Sequence, residues 1–341
     1  FDRPTPRYCS RVRLDHRWAA VAGIRRGELV LLAHRWDRGA GLELDHMESW
    51  VVTRRGRDLT PLLTTPGWVN GIWVSPAQSL WATHVDGGLL WRGPEAHDWR
   101  PQTFPGSLGG VYGIDDDNVF CWGSERGQWF VSRWDGAEFE TTATRAQVLA
   151  MHGVDAGLVV AVGADGLALR WDGRRWTEID APTTRAFWSV HVESEARVLA
   201  CGPAANLWAG DARALAPLPE SPFAPRCVFT HRGRTWIGCG DLGLHEQDGD
   251  TTVPRHFDVV AESACVMSDG VALAGPLAVT TTDDLERFAE IPMSELVELT
   301  MERAPVFAPY EEEPAEQDDE EDDGFELPDP PLDDMTEPDE D

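Results

Sequence analysis

Short apolar runs that end in glycine recur along this chain at a nearly constant interval. Successive copies lie 39, 40, 39, 38 and 35 residues apart, a period typical of repeat architectures. His84 takes the glycine position in one copy, and Leu29–His34 gives a seventh copy upstream, followed by a loop insertion through Arg38–Glu48. The six regular copies are Leu80–His84, Val119–Gly123, Val159–Gly163, Val198–Gly202, Trp236–Gly240 and Val271–Gly275.

Further strands are predicted on both sides of each copy. Asp-Gly pairs within Arg133–Phe139 and Arg170–Trp176 indicate hairpins, because glycine tolerates the positive φ that such turns need. Four short strands per repeat, with almost no helical periodicity, predict an all-β fold: a β-propeller of seven four-stranded blades, with six or eight blades as alternatives. The predicted innermost strands are Val69–Val74, Gly109–Ile114, Val148–His152, Phe187–Val192, Cys227–His231 and Ala264–Met267.

The repeats define the organisation of the chain and leave its ring closure open. Tyr8–Leu14 can supply a ring-closing strand beside Phe288–Pro292, or Ser294–Met301 can pack beneath the ring. The predicted segments are 1–14 as the N-terminal segment that holds this candidate strand, 15–293 as the propeller, 294–308 as a short helix or strand and a linker, and 309–341 as a disordered acidic tail.

Negative charge is concentrated at the C-terminus. The formal net charge is −30, and residues 311–341 contain 18 Asp or Glu and no Arg, which leaves about −12 for residues 1–310. A segment with so much like charge and so few apolar residues cannot bury enough surface to fold, so we predict that it is disordered. The acidic body also disfavours nucleic acid as a partner, because nucleic acids are bound through cationic contacts to phosphate.

Isolated apolar residues interrupt the acidic tail. Phe325, Leu327 and Leu332 are surrounded by carboxylates and prolines. Solvation alone does not require such residues, so they suggest a short linear motif that docks on a basic, grooved protein. Two alternatives are a solubility or electrostatic shield and an intramolecular contact with arginines of the propeller.

Three arginines occupy the same position in consecutive repeats. Arg145, Arg185 and Arg226 each lie just before a predicted innermost strand, 40 and 41 residues apart. Loops that lead into innermost strands lie on one face of a propeller, so we expect an arc of arginines around the channel mouth. Such an arc can bind the acidic groups of a partner. In the alternative interpretation, each arginine bridges to a carboxylate of the neighbouring blade.

Candidate catalytic and metal-binding residues are sparse. His152, His191 and His231 recur near the ends of innermost strands, 39 and 40 residues apart, and either bind metal, sense pH or hydrogen-bond neighbouring blades. Tyr112 is the one tyrosine inside the repeats, and no arginine lies near it in sequence. Because no nucleophile, base or paired-carboxylate set can be identified, we predict no enzyme activity, no metal and no cofactor.

The six cysteines show no metal-binding spacing. None forms a Cys-x-x-Cys pair, and five of them lie in short apolar runs such as Val119–Trp122. Such cysteines behave as small buried hydrophobic residues, so we predict reduced thiols and a cytoplasmic protein. No apolar run approaches the roughly 18 residues that a membrane-spanning helix needs, so we predict no membrane association.

Several turns resemble those of a known group of propellers. His84–Trp91 and Thr281–Phe288 resemble the Asp-box turn of sialidase-type propellers, with His84 in the place of the hydroxyl residue and Leu285 in the place of glycine. The Arg-Trp-Asp-Gly hairpins resemble those of photosystem II assembly-factor-like propellers and their bacterial relatives. The resemblance covers about residues 18–293. It implies the fold and not an activity, because Asp-box turns are structural.

We therefore expect a non-enzymatic scaffold, a monomeric propeller within a complex that binds another protein through one face and the acidic tail. The acidity makes a basic protein one candidate partner. One alternative is an inhibitor or immunity-type protein that neutralises a basic effector. Another is a glycosidase-like propeller enzyme with its site at the channel mouth.

Overall fold

Seven four-stranded antiparallel sheets make up the described part of the chain. A computed structural model describes residues 14–37, 47–204, 206–219, 223–249 and 251–300. In these ranges each sheet consists of four strands that are consecutive in sequence. The first strand of each blade contacts the first strands of the blades on either side, so the first strands surround a central channel. The prediction of a seven-bladed propeller with four-stranded blades is thus confirmed.

The strands are numbered in chain order. Blade 1 consists of β1 (Leu14–Arg25), β2 (Glu28–Asp37), β3 (Met47–Arg55) and β4 (Asp58–Pro66). Blade 2 consists of β5 (Val69–Val74), β6 (Leu80–His84), β7 (Gly88–Arg92) and β8 (Arg100–Thr103). Blade 3 consists of β9 (Ser107–Asp115), β10 (Asn118–Glu125), β11 (Gln128–Trp134) and β12 (Phe139–Thr144). Blades 4 and 5 consist of β13 (Val148–Asp155), β14 (Leu158–Gly163), β15 (Ala168–Trp171) and β16 (Trp176–Glu178); and β17 (Ser189–Ser194), β18 (Arg197–Gly202), β19 (Asn206–Gly210) and β20 (Leu215–Pro217). Blades 6 and 7 consist of β21 (Cys227–His231), β22 (Arg234–Gly238), β23 (Leu244–Asp248) and β24 (Thr251–His256); and β25 (Ser263–Met267), β26 (Gly270–Ala274), β27 (Ala278–Thr282) and β28 (Ala289–Pro292). The helix α1 (Met293–Thr300) follows.

The propeller has two faces that differ in which connections they carry. We call the upper face the one that holds the loops into each first strand and the turns between second and third strands. The lower face holds the turns between first and second strands and between third and fourth strands.

No helix in the described part of the chain is long and apolar enough to cross a membrane.

In three of the copies the recurrent glycine allows close approach of the backbone at the end of the second strand. A Cβ atom on Gly123 would lie 2.0 Å from the carbonyl oxygen of Ser107, and one on Gly163 would lie 1.8 Å from that of Gln147. Both distances are far inside van der Waals contact, so only glycine fits. The repeat that reveals the fold in the sequence therefore has a steric cause.

Tryptophan side chains fill much of the space between blades. All sixteen tryptophans lie in the described ranges, and half of them are buried. Aromatic side chains bury the largest area per residue, which suits the wedge-shaped gaps that widen away from the channel. The buried ones are Trp18, Trp50, Trp81, Trp99, Trp122, Trp171, Trp208 and Trp236.

Blades 1 and 7 meet without exchanging a strand in the described ranges. The backbone N–H of Trp18 donates to the carbonyl of Pro276 at 3.0 Å, and that of Arg26 donates to the Asp269 carboxylate at 2.8 Å. The segment Tyr8–Leu14, a candidate ring-closing strand, lies outside the described residues except for Leu14, which begins the innermost strand β1.

Helix α1 lies across the junction between blades 1 and 7. Met293 and Leu296 pack into the cluster that contains Trp18 and Ile291. The Arg54 guanidinium forms an ion pair with Glu295 at 3.0 Å. The segment after the last strand therefore packs against the ring at this junction, whereas the alternative of a ring-closing strand from Tyr8–Leu14 stays untested.

Turns between third and fourth strands repeat one hydrogen-bonding pattern. The carboxylates of Asp135, Asp172, Asp211 and Asp284 each accept two backbone N–H bonds from the residues two and three positions later. These bonds favour the charged form and lower the pKa of all four carboxyl groups. Leu285 takes a φ of 60° at the position where Gly136 and Gly173 take 95° and 91°.

The two turns that resemble the Asp-box do not occupy equivalent positions. His84–Trp91 connects second and third strands on the upper face, whereas Thr281–Phe288 connects third and fourth strands on the lower face. In the latter turn Asp284, and not Asp283, caps the backbone. The two similar sequences therefore do not mark one repeated position of the fold.

Leu296 should be a main contributor of α1 to ring stability, because its side chain is 1% exposed at the blade 1–7 junction. We expect Leu296→Ala to lower the free energy of unfolding by about 2–4 kcal/mol through lost burial and a cavity. Urea unfolding followed by tryptophan fluorescence measures the change. Val297→Ala, at a position that is 36% exposed, is the matched control and should cost under about 1 kcal/mol. Equal effects of the two variants would contradict the assignment.

Candidate partner-binding site

The first strands enclose a central cavity of about 380 Å³. Apolar and polar groups both contribute to its wall, with polar side chains concentrated towards the two ends. A side chain that entered it would meet apolar groups in the middle, where burial of an unpaired charge is costly, and polar groups at each end. The apolar lining includes Val21, Val74, Val111, Ala150, Val190, Val228, Ala264 and Val266.

Near the lower end, side chains of neighbouring first strands form a ladder around the cavity. Tyr112 of blade 3 donates its hydroxyl to the carbonyl of Gly153 in blade 4 and accepts from the N–H of the same residue, both at 2.9 Å. The ring of Trp73 in blade 2 lies where a side chain on Gly113 of blade 3 would be. These contacts tie each blade to the next.

His152 and His191 continue this ladder. The Nδ1 atom of His152 accepts the N–H of Val192 at 3.1 Å, so the neutral ring carries its proton on Nε2. The His191 Nε2 atom lies 2.8 Å from the hydroxyl of Thr230, and the two imidazole rings are 4.4 Å apart. Both rings therefore link neighbouring blades, which was one of the sequence-based alternatives.

Burial keeps both imidazoles neutral. Desolvation lowers the pKa of His152 to about 3, with a smaller contribution from His191. Desolvation also lowers the pKa of His191 to about 4, with Arg197 adding to the shift. Two adjacent imidazolium ions in this environment would repel each other, so the pair is a structural link at neutral pH.

His231 does not join the other two histidines. Thr230 takes the ladder position in blade 6, and the Nε2 atom of His231 lies 3.0 Å from the carbonyl oxygen of Asp283. The structural equivalent of His152 and His191 in blade 6 is therefore Thr230, one residue before the histidine that the sequence spacing indicated. Among the described residues, no group of three or more His, Cys, Asp or Glu side chains is arranged to hold a metal ion.

The three arginines predicted to form an arc have different surroundings. Arg145 donates to the Glu178 carboxylate at 3.1 Å and to the carbonyl of Asp165 at 2.9 Å, so its own blade neutralises it. Arg185 lines a separate depression of about 160 Å³ on blade 5. Arg226 alone of the three lines the central cavity. All three lie on the upper face, but the structure does not bring them into one site.

Arg226 stacks on Trp188 at the upper mouth of the cavity. Its guanidinium carbon lies 4.8 Å from the centre of the Trp188 ring, a cation–π contact. Both side chains line the cavity, as does the exposed Glu262. Stacking orients the guanidinium but leaves its N–H groups able to bind an acidic group of a partner.

Beside Arg226, the turn Gly240–Gly243 holds a large apolar side chain in solvent. Gly240 and Gly243 have φ values of 59° and 93°, and a Cβ on Gly243 would lie 2.1 Å from the carbonyl oxygen of His256. The turn is therefore fixed against the loop that follows β24. It presents Leu242, which is 49% exposed.

Phe257 extends this surface on the other side of the turn and is 69% exposed. A Cβ atom added to Gly240 would lie 3.7 Å from the side chain of Arg226. One added to Gly243 would lie 2.9 Å from the Cα atom of Phe257. The turn thus joins the cation and the aromatic ring into one surface. We call Trp188, Arg226, Leu242 and Phe257 the blade 5–6 patch.

Sequence reasoning identified only Arg226 within this patch. The signal for Leu242 was a large apolar residue inside the segment Gly240–Gly243, where a solvated turn is expected, and Phe257 had no comparable signal. The predicted anchors Phe325, Leu327 and Leu332 lie outside the described residues.

The described cysteines are free thiols. Cys121, Cys201, Cys227 and Cys239 are buried and Cys265 is half-buried, while Cys9 lies outside the described residues. Burial raises the pKa of the Cys239 thiol to about 12 and that of Cys265 to about 11. Thiols with raised pKa are poor nucleophiles at neutral pH, so their role is packing.

Comparison with solved structures finds other propellers. The chain is similar to the WD40 β-propeller domain of Doa1, with 11% identity, a TM-score of 0.60, and coverage of 77% of this chain and 92% of that chain. The propeller domain of the Trilobed protease from Pyrococcus furiosus, described as having an open velcro topology, shows 10% identity, a TM-score of 0.56, and coverage of 82% and 95%. YCF48 bound to D1 peptide shows 13% identity, a TM-score of 0.51, and coverage of 65% and 80%.

At identities this low, the likeness to these structures is one of fold alone. Together with the seven four-stranded sheets, it defines the class of this protein as a seven-bladed β-propeller. The photosystem II assembly-factor-like resemblance is supported to that extent, since YCF48 shares the architecture. No protein-family model and no curated protein matches the sequence, so the narrower Asp-box group is not supported at the level of sequence.

The buried histidines should make stability fall as the solution becomes acidic. His34, His152 and His191, with pKa values lowered to about 4, 3 and 4, stay neutral in the fold, whereas the unfolded chain takes up protons below its pKa of 6.5. Each of these histidines should lower the free energy of unfolding by about 2 kcal/mol when the pH falls from 7.5 to 5.0. Urea unfolding at both values tests this. The double variant His152→Asn/His191→Asn should lose less stability on acidification, and an unchanged pH dependence would contradict the explanation.

Proposed function

We propose that this propeller is a non-enzymatic scaffold that binds a protein partner through its upper face. The observation that carries the proposal is the blade 5–6 patch, where Trp188 and Arg226 stack beside the exposed Leu242 and Phe257. Trp and Arg are enriched among the residues that dominate protein–protein binding energy. Exposed large apolar side chains that lie together mark interaction sites on soluble proteins.

The patch has the layout of a binding surface rather than of a reaction centre. It adjoins the mouth of the central cavity of about 380 Å³, which can receive a side chain of the partner. Arg226 can pair with a carboxylate there, and Glu262 can pair with a cation. Because glycine geometry holds the turn of Leu242 in place, little entropy is lost when a partner orders this side chain.

The surroundings of Tyr112 favour a binding role over glycosidase activity. Its hydroxyl is engaged with both backbone groups of Gly153, and burial raises its pKa to about 12. A tyrosine nucleophile needs a free hydroxyl and a base that can take its proton. The His152 ring lies 5.7 Å from the Tyr112 ring, but its Nδ1 atom already accepts the N–H of Val192.

The comparisons agree with a scaffold role at the level of fold. Doa1 and Pan2 contribute WD40 domains, and YCF48 is bound to a peptide in its structure. By analogy with these propellers, we propose that this one works, as a monomer, within a complex. The free thiols of the described cysteines support a location in the cytoplasm. The acidic tail, with Phe325, Leu327 and Leu332 as anchors, would add contacts to a basic protein.

Affinity capture with paired variants tests the proposal. Wild-type protein and the upper-face variants Arg226→Glu and Phe257→Asp are crosslinked in lysate of the source organism, and the captured proteins are quantified by mass spectrometry. We expect a specific partner to be captured by the wild type and to fall at least tenfold with either variant, because each removes a central contact.

Val154→Asp is the matched control. Val154 is 44% exposed at the lower end of β13, far from the patch in the topology, and its replacement should leave capture unchanged. A partner lost equally with all three variants, or with none, would contradict recognition through the upper face. Removal of residues 311–341 should weaken capture separately if the tail adds affinity.

A further inference from the structure

A cleft of about 260 Å³ opens on the lower face between blades 1 and 2. It exists because the two blades differ in size: β2, β3 and β4 have 10, 9 and 9 residues, whereas β6, β7 and β8 have 5, 5 and 4. The shorter blade cannot cover the whole facing surface of the longer one. Apolar side chains at the lower end of blade 1 are consequently only partly covered by blade 2.

The floor of this blade 1–2 cleft is apolar. Ile24 and Leu62 from blade 1 face Val74 and Leu80 from blade 2, and all four are half-buried. Below them lies the buried Val30, which belongs to the core cluster shared by the two blades. The cleft is therefore an extension of the inter-blade core that opens to solvent, and covering it would remove further apolar surface from water.

The rim of the cleft is cationic. Arg25, Arg55 and Arg92 line it, against the single carboxylate of Glu28. Arg55 already pairs with Glu28, through bonds of 2.9 and 2.6 Å to one carboxylate oxygen. Among the described residues the side chain of Arg25 is exposed and forms no hydrogen bond or ion pair, and that of Arg92 uses only its Nε atom, which donates to the carbonyl of Ala96. Two guanidinium groups therefore keep N–H donors available beside the apolar floor.

We propose that the blade 1–2 cleft is a second binding site, which takes an acidic peptide segment of a partner protein that carries aliphatic or aromatic anchor side chains. The volume supports this class of occupant, because about 260 Å³ holds one or two side chains and is below the usual size of a small-molecule pocket. The free arginines match carboxylates, which they can bind through paired hydrogen bonds. Thr53, Thr60 and Gln78 supply polar groups for the backbone of the peptide.

This site is independent of the blade 5–6 patch, since it lies on the opposite face and on other blades. The acidic peptide proposed for this cleft also differs in charge from the basic protein proposed as the partner of the acidic tail. Its affinity should fall with added salt, because exposed ion pairs at the rim are screened.

Fluorescence anisotropy with the full chain tests the proposal. The probe is the fluorescein-labelled octapeptide DDLDPLDD, compared with DDSDPSDD, which lacks the anchors, and NNLNPLNN, which lacks the charges. We expect saturable binding of the first probe only. Arg25→Glu should weaken it about tenfold or more, through the loss of a charge-assisted bond and added repulsion. Thr60→Trp, at an exposed position on the wall, should weaken it by filling the cleft.

Arg174→Glu is the matched control. Arg174 lies in an exposed turn of blade 4 on the same face, so its reversal changes the net charge equally and should alter the affinity less than about twofold. Thermal unfolding verifies that the variants fold. Absence of saturable binding, equal binding of the serine probe, or equal losses with Arg25→Glu and Arg174→Glu would overturn the proposal. A dimer seen by sedimentation that Arg25→Glu dissociates would also overturn it, by assigning the cleft to a second copy.

Discussion

Burial of both faces of every blade couples the seven sheets to one another. Adjacent residues of a strand point to opposite faces of the sheet. In β14, Val159 belongs to the cluster shared with blade 3, whereas Val160 belongs to the one shared with blade 5. In β26, Val271 and Ala272 are divided in the same way between blade 6 and blade 1. A blade that lost a neighbour would expose a whole face, so the ring depends on closure at the seam that α1 covers.

The same constraint determines where chemistry can reside. Inner strands must pack side by side around a narrow channel, so their inward side chains are small, and the ladder of Tyr112, His152 and His191 is used to hold blades together. Polar groups that are satisfied within the ring are not free for ligands. Recognition is left to the loops and to places where neighbouring blades do not match, which is where Arg226 and Arg25 lie.

The sequence predicted the blade number and the strands because the same steric requirement recurs: in three copies a carbonyl oxygen, such as that of Ser107, leaves room only for glycine. It could not predict the site to the same extent. Arg145 and Arg226 share a repeat position, yet one is neutralised by Glu178 and the other stacks on Trp188. The group that each arginine contacts depends on side chains from other strands and loops, and equal spacing in the sequence gives no information about these. For the same reason His231 looked equivalent to His191, although Thr230 is the residue that reaches it.

Both proposed sites occur where the repeat departs from its own regularity. The Gly240–Gly243 turn displays Leu242 because two left-handed glycines fit it against the next loop. The blade 1–2 cleft exists because β2 to β4 are longer than their counterparts in blade 2. Regular positions are explained by packing within the ring, whereas Leu242 and Phe257 stay largely in solvent, at 49% and 69% exposure. Each surface therefore places apolar side chains beside an arginine with available N–H donors, a combination that packing of the ring does not require and that the two proposed binding sites would use.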